Sequence, residues 1–337
     1  MCGLRLKGEG VESFCAVPKF KQIGDFVDLA ASFSLQDEIA GANVIEEKNP
    51  KNEKQINIWT VPERRRTGLG GIMNYAIIDS QLNFWGANST RTRSSYVNAI
   101  RKSLEKVVIK RIPLGQRIFV CGDEEPSGGQ QELFSSTDEF ILNLAHESSK
   151  RGTTARGIMF DEITSVHQEG GKTTLNGMHL QKLLTVTGSM ADRIKQSYSH
   201  EWAAIGKGGR HVFCMFLLST DSNDQIKIED VALFLTSRDY FNVDAGPEVI
   251  MVNKLIDENR KFMKPYRLWN ESGFIPDFRL LDTLKESIIE VWGMNTNQYI
   301  NQKKKKIAYY MSICIKLIEW TVRDVDISSI TFPPADA

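Results

Sequence analysis

Charge is segregated along this chain, and the segregation limits how it can fold. Between Arg64 and Arg117 stand eleven cations: Arg64, Arg65, Arg66, Arg91, Arg93, Arg101, Lys102, Lys106, Lys110, Arg111 and Arg117. Only Asp79 and Glu105 oppose them, so the segment carries net +9 in a 337-residue chain whose formal total is zero, and the remainder sums to −9. Residues 123–147 are the inverse, with seven acids and no lysine or arginine. Such blocks either neutralise one another inside the fold or present separate fields to solvent, and an anionic partner feels a separated field.

A hydrophobic share of 41% with 25% charged residues is that of a soluble globular chain able to bury an ordinary core. The longest strongly apolar run, Val212–Leu218, falls far short of the ~20 residues a bilayer crossing requires, so no membrane partner is expected. Met1–Lys7 has no apolar stretch of the secretory kind. Five scattered cysteines (Cys2, Cys15, Cys121, Cys214 and Cys314) fit reduced cytosolic thiols, not a disulfide framework.

The hydrophobic pattern predicts an α+β chain with a β-containing N-terminal half, a mainly helical C-terminal half and an extended C-terminal arm. Helices are expected at Phe20–Phe33, from Ser94 to Val108, from Ser136 or Thr137 to His146, and over Met178–Val186, Ser189–Ile205, Asp230–Thr236, Pro247–Phe262, Pro276–Trp292 and Gln298–Val322. Strands are expected at Val11–Val17, Ile56–Val61, Asn74–Ile78, Leu82–Trp85, Arg117–Cys121 and His211–Leu218. Ile158–Val166 and Lys172–Leu175 should form a hairpin about Glu169-Gly170-Gly171. The divisions are a mixed α/β region over 1–121 containing the basic segment, a flexible acidic loop over 122–131, a mainly helical region over 132–323 and an arm over 324–337, with a single domain as the alternative. Pro333-Pro334 ends any helix in that arm. Ile327, Ile330 and Phe332 then suit a strand laid on a second copy of the chain.

The candidate chemistry is phosphate binding. Arginine and lysine neutralise phosphates, and unpaired bases stack on aromatic rings, so Arg64, Arg65, Arg66, Arg91, Arg93, Lys102, Lys106 and Lys110 are candidate RNA-binding residues, with Tyr75, Phe84, Trp85 and Tyr96 among them. The alternative is a solvated helix face paired with the acids that follow. The run Lys303–Lys306 opens a helix and is solvated by default. Gly170-Gly171-Lys172-Thr173 resembles the end of a phosphate loop, but Val166 stands where the motif needs glycine. Gly206–Gly209 reads as a connection. The five histidines are dispersed, and no metal site, catalytic residue or cofactor is assigned. Cys2 lacks the companion motifs of N-terminal cysteine amidotransferases.

A chain of this length and cysteine content, with a basic region, an acidic loop (Asp123–Gln131) and an apolar arm (Ile327–Phe332), resembles in layout the viroplasm matrix proteins of plant reoviruses, particularly fijiviruses. That resemblance implies a non-structural viral protein that binds single-stranded RNA, oligomerises through its arm, meets other viral replication proteins and builds inclusion bodies in the host cytoplasm. The alternatives are a nucleocapsid protein coating RNA and a nucleotide-hydrolysing enzyme using Lys172 or Lys207.

Overall fold

The computed structural model describes residues 20–23, 26–36, 67–121, 136–180, 184–220, 226–266, 274–294 and 296–336. In chain order these form β1 (Phe20–Ile23), β2 (Phe26–Leu29), α1 (Leu69–Asp79), β3 (Phe84–Trp85), α2 (Arg93–Glu105), β4 (Val107–Ile109), β5 (Ile112–Pro113), β6 (Ile118–Val120) and α3 (Thr137–Arg151). There follow β7 (Arg156–Glu169), β8 (Lys172–Gly177), β9 (Leu184–Thr187), α4 (Gly188–Ser197), α5 (Ser199–Ala204), β10 (Arg210–Thr220), β11 (Ile226–Ser237) and β12 (Asn242–Val243). The last group is α6 (Gly246–Asp257), β13 (Phe262–Met263), β14 (Phe278–Leu280), β15 (Ser287–Trp292), α7 (Asn297–Ser312) and β16 (Lys316–Thr321).

The strands make three sheets. The central one runs β12-β11-β10-β7-β8-β9, with β6 laid parallel on β7. Strand β7 is its pivot: its first half lies between β10 and β6, and beyond a register break at Ile163/Ser165 its second half pairs with β8. Residues 157–163 are all buried and uncharged except at Asp161 and Glu162, as suits a strand covered on both faces. Gly157 is required there, because a Cβ would lie 2.5 Å from the Phe140 ring of α3. The second sheet is β1-β2-β4-β5. The third, β16-β15-β14-β13-β3, takes β3 from the first third of the chain, so it joins segments far apart in sequence. One hydrophobic core runs through all three.

The expected division into a β-containing first half and a helical second half is overturned, because the described residues of the C-terminal half hold more strand than helix. Asp230–Thr236 lies within β11, Pro276–Trp292 holds the β14–β15 hairpin, and the stretch from Gln298 to Val322 divides into α7 and β16. Asp230–Thr236 and, within the second stretch, Ser287–Trp292 are short runs rich in apolar residues, and periodicity cannot separate a buried strand from a buried helix there. In the N-terminal half the error reverses: Asn74–Ile78 lies in α1, whereas Phe20–Phe33 contains β1 and β2. The hairpin about Gly170-Gly171 is present, as are α2, α3, α6 and the strand at His211–Leu218. The strands expected at Val11–Val17 and Ile56–Val61, and the loop 122–131, lie outside the described residues.

Nor is the C-terminal arm extended away from the molecule. After β16 the Trp320 indole donates to Val325 O (2.8 Å), Ile327–Ser329 make a 3-10 turn, and Ile327, Ile330 and Phe332 pack against the chain's own core. The Phe332 ring lies 5.6 Å from both the Lys254 Nζ and the Arg260 guanidinium carbon, and Asp336 N donates to Asp282 O (2.8 Å). Arg260 in turn donates to both Asp282 oxygens at 2.9 and 2.8 Å. Burial works to raise the Asp282 carboxyl, but these bonds outweigh it and hold it below its ordinary value.

A carboxyl depressed by folding contributes stability above its unfolded value, and that contribution is lost as pH falls through the folded one. Asp282→Asn should therefore lower stability by about 1.5–3 kcal/mol near neutral pH. The gap to wild type should close as pH drops below about 4. Thermal melts across that range check this, and a gap that stays constant contradicts it.

Candidate active site

The structure scatters the residues expected to bind RNA. Arg64, Arg65 and Arg66 lie outside the described residues. Arg91 is a staple: its guanidinium donates to the carbonyls of Leu82 (3.1 Å), Tyr240 (3.0 Å) and Phe84 (3.1 Å) above the Trp85 ring, and burial lowers it to about 10. Arg93 is turned inward, and Lys106 pairs with Asp79 at 3.2 Å. Lys102 and Lys110 remain on the surface. Of the four aromatics proposed to stack on bases, Tyr75, Trp85 and Tyr96 are buried. Lys172 and Lys207 are exposed, in the β7–β8 turn and the α5–β10 connection. Ile327, Ile330 and Phe332 lie on their own subunit.

Two clusters of buried charge stand out instead. The first forms where β7 changes partners. The α2 N-terminus is fixed by a capping box between Thr92 and Ser95, which aims Arg93 at Asp161 Oδ1 (3.0 Å), Glu162 Oε2 (3.3 Å) and Cys121 O (3.3 Å). Asp161 also accepts the backbone N–H groups of Glu162, His179 and Leu180 at 2.8, 2.9 and 3.0 Å. Burial raises its carboxyl above the ordinary range against these bonds. Gly177 leaves room for it, since a Cβ would lie 2.3 Å from Asp161 Oδ2. Glu162 Oε1 meets His211 Nδ1 at 2.7 Å, and His211 Nε2 is 3.2 Å from Arg238 O. Every oxygen here has its partners, so the cluster ties α2, β6, β7, β8 and β10 together.

The second cluster is built on the β14–β15 hairpin and the helices beside it. Phe278 pairs with Ile289, so Asp277 and Glu290 stand at the next level of the same antiparallel register. Directly opposite side chains there have Cβ atoms about 4.5–5.5 Å apart, and like charges so placed repel. Both are buried, at 2% and 0% exposure. Asp277 Oδ2 accepts from Val291 N at 2.7 Å. α7, capped at Thr296, carries Lys306 and Tyr310 over Glu290. Lys306 Nζ lies 2.7 Å from Oε1 and 2.8 Å from Oε2, and the Tyr310 hydroxyl donates to Oε1 at 2.8 Å. Burial pushes Lys306 below its ordinary value against the pull of Glu290. Burial and the Glu290 charge together push the Tyr310 hydroxyl far up, so it stays protonated.

Beside this lies Lys264, which donates to Glu248 Oε2 of α6 (2.7 Å) and reaches Asp244 Oδ2 (3.1 Å). Burial works to lower Lys264, but the two acids hold it above its ordinary value; burial works to raise Glu248, but Lys264 helps hold it down. Lys306 lies within range of both charges. The cluster therefore buries three acids, Glu248, Asp277 and Glu290, against two lysines, with the partly exposed Asp244 as a fourth acid. Buried charge requires a partner, and the lysines supply one to Glu248 and one to Glu290. Among the described residues no three His, Cys, Asp or Glu side chains are placed to hold a metal ion by themselves.

The family described as Protein of unknown function (DUF1173) matches residues 47–312. The chain belongs to this family. The matched stretch takes in Asp277, Glu290, Lys306 and Tyr310, and it stops at the last residue of α7. No curated protein and no solved structure matches the chain.

Of the second cluster only Lys306 was weighed from sequence, as part of the lysine run, and Asp277 and Glu290 were not singled out. Asp277, Glu290 and Lys306 form no local spacing motif, and lysine runs at helix starts are usually solvated. The available signal was Glu290 itself, a lone acid inside Ile288-Ile289-Glu290-Val291-Trp292.

If the first cluster is structural, removing its one arginine strands Asp161 in the core. Arg93→Met should cost about 3–5 kcal/mol by urea unfolding. A double variant with Asp161→Asn should cost less than the two single changes summed. A loss under about 1 kcal/mol, or strict additivity, contradicts the assignment.

Proposed function

We propose that this chain is a divalent-cation-dependent phosphodiester hydrolase acting on nucleic acid, with Asp277, Glu290 and Lys306 at its centre. The observation that carries this reading is the cross-strand pair of buried carboxylates with an ammonium group at its edge. Two hard oxygen donors suit Mg²⁺ or Mn²⁺. Mg²⁺ commonly takes one or two carboxylates and completes its shell with water and substrate phosphate, so two acids suffice. When bound, such an ion lowers the pKa of a coordinated water and neutralises charge on the phosphoryl oxygens.

The chain's own residues supply the rest. Asp277 is oriented by the Val291 N–H, and Glu290 by the Tyr310 hydroxyl. Lys306 offers a positive charge to the non-bridging phosphate oxygens, and the Lys264–Glu248 pair fixes α6 against the site. On the same helix Lys304 and Lys305 face solvent, where they meet phosphates flanking the reacting one. Phosphate recognition is thus kept from the sequence expectation but moved to another surface. A self-assembling scaffold would draw on a free arm, and Ile327, Ile330 and Phe332 are occupied within their own subunit.

The test is cleavage of labelled single- and double-stranded DNA and RNA in Mg²⁺ or Mn²⁺, with EDTA as control. The expected result is cation-dependent cleavage of at least one substrate that falls by about 10³-fold or more in Asp277→Asn and Glu290→Gln. Unchanged cleavage in both variants, or no cleavage of any substrate with either ion, overturns the proposal.

A further inference from the structure

We infer that Lys306 and the divalent cation are alternative occupants of the Glu290 carboxylate, so that loading the ion releases the lysine toward the substrate phosphate. This deepens the reading above and rests on it. The ammonium group sits astride the carboxylate, 2.7 and 2.8 Å from its two oxygens, while Tyr310 takes a second position on Oε1. A carboxylate offers about four acceptor positions, and three are used. A cation about 2.0–2.1 Å from either oxygen would lie beside the ammonium in a water-poor site, where like charges repel strongly.

Of the two buried lysines, Lys306 is the one free to leave. Lys264 is clamped by two carboxylates, with its side chain 3% exposed. Lys306 is paired with one carboxylate, Glu290, beside the Trp292 ring, and is 11% exposed on a surface helix. Its unbranched stem lets the head group swing while α7 stays in place. The lysine therefore acts as a resident counter-ion that keeps Glu290 paired until metal arrives. An arrangement of this kind couples metal loading to delivery of the charge that meets substrate.

The experiment is Mn²⁺ binding by the full-length chain, followed through the electron paramagnetic resonance of the free ion, with no substrate present. Wild type should bind weakly, and Lys306→Met should bind about tenfold tighter or more while losing hydrolysis. Lys264→Met should show no such gain, and adding Glu290→Gln to Lys306→Met should abolish it. Equal or weaker binding by Lys306→Met overturns the inference, as does tight binding that survives Glu290→Gln. Should Lys306→Met fail to fold alone, refolding in Mn²⁺ should recover it, and failure of that rescue counts against the proposal. Wild-type binding that Asp277→Asn removes, with no gain in Lys306→Met, would sink the exchange and leave the active-site reading standing. No binding by any variant would remove both.

Discussion

Burying a carboxylate in an apolar sheet is the constraint on which this structure turns. It is met twice, in opposite ways. Asp161 and Glu162 interrupt the run of β7, and Asp161 is surrounded by one arginine and three backbone N–H groups held at fixed positions. Such partners cannot leave without opening the sheet. Glu290 interrupts the run of β15 in the same manner, but two of its partners are the ends of side chains on one helix. Similar chemistry thus produces a clamp in one sheet and an exchangeable site in the other. The difference lies in whether the countercharge belongs to the backbone framework or to a mobile stem.

Legibility of the fold followed the same line. Elements with one wet face could be read: α2 shows its stripe of Tyr96, Val97, Ile100 and Leu104, and the β7–β8 hairpin announces itself through Gly170-Gly171. Elements buried on both faces were read less reliably: β10 was recognised at His211–Leu218, but two others were not. Asp230–Thr236 and Ser287–Trp292 carry apolar residues at nearly every position, so helical and extended spacing fit them equally. What assigned them to strands was partners far away in sequence: β10 for the first, β14 and β16 for the second.

The charge pattern misled for a related reason. Net +9 over Arg64–Arg117 is a sum, and a sum does not say which way each side chain points. Arg91, Arg93 and Arg117 face inward onto carbonyls, Asp161, Glu162 and Glu147. Arg117 meets an acid from the oppositely charged stretch that follows, so part of the segregation is resolved inside the fold. The lysine run at 303–306 divides likewise. Lys303 lies 4.9 Å from the Trp292 ring centre, Lys306 reaches Glu290, and Lys304 and Lys305 stay in water. Four identical neighbours have different roles because successive residues on a helix turn by about 100°.

Topology explains why a lysine arrives over Glu290 at all. Strands β15 and β16 are parallel, with Glu290 level with Glu319. A parallel pair cannot be joined by a tight turn and needs a crossover, for which a helix is the usual solution. α7 is that crossover, so it must lie across the face of the strand it has just left. Its cations are thereby brought over the acids of the hairpin. The hairpin register sets Asp277 beside Glu290, and the crossover supplies Lys306 and Tyr310 from above. The active-site proposal therefore draws all four side chains from one contiguous supersecondary unit, Asp277 through Thr321, whose geometry β15 dictates through its pairings.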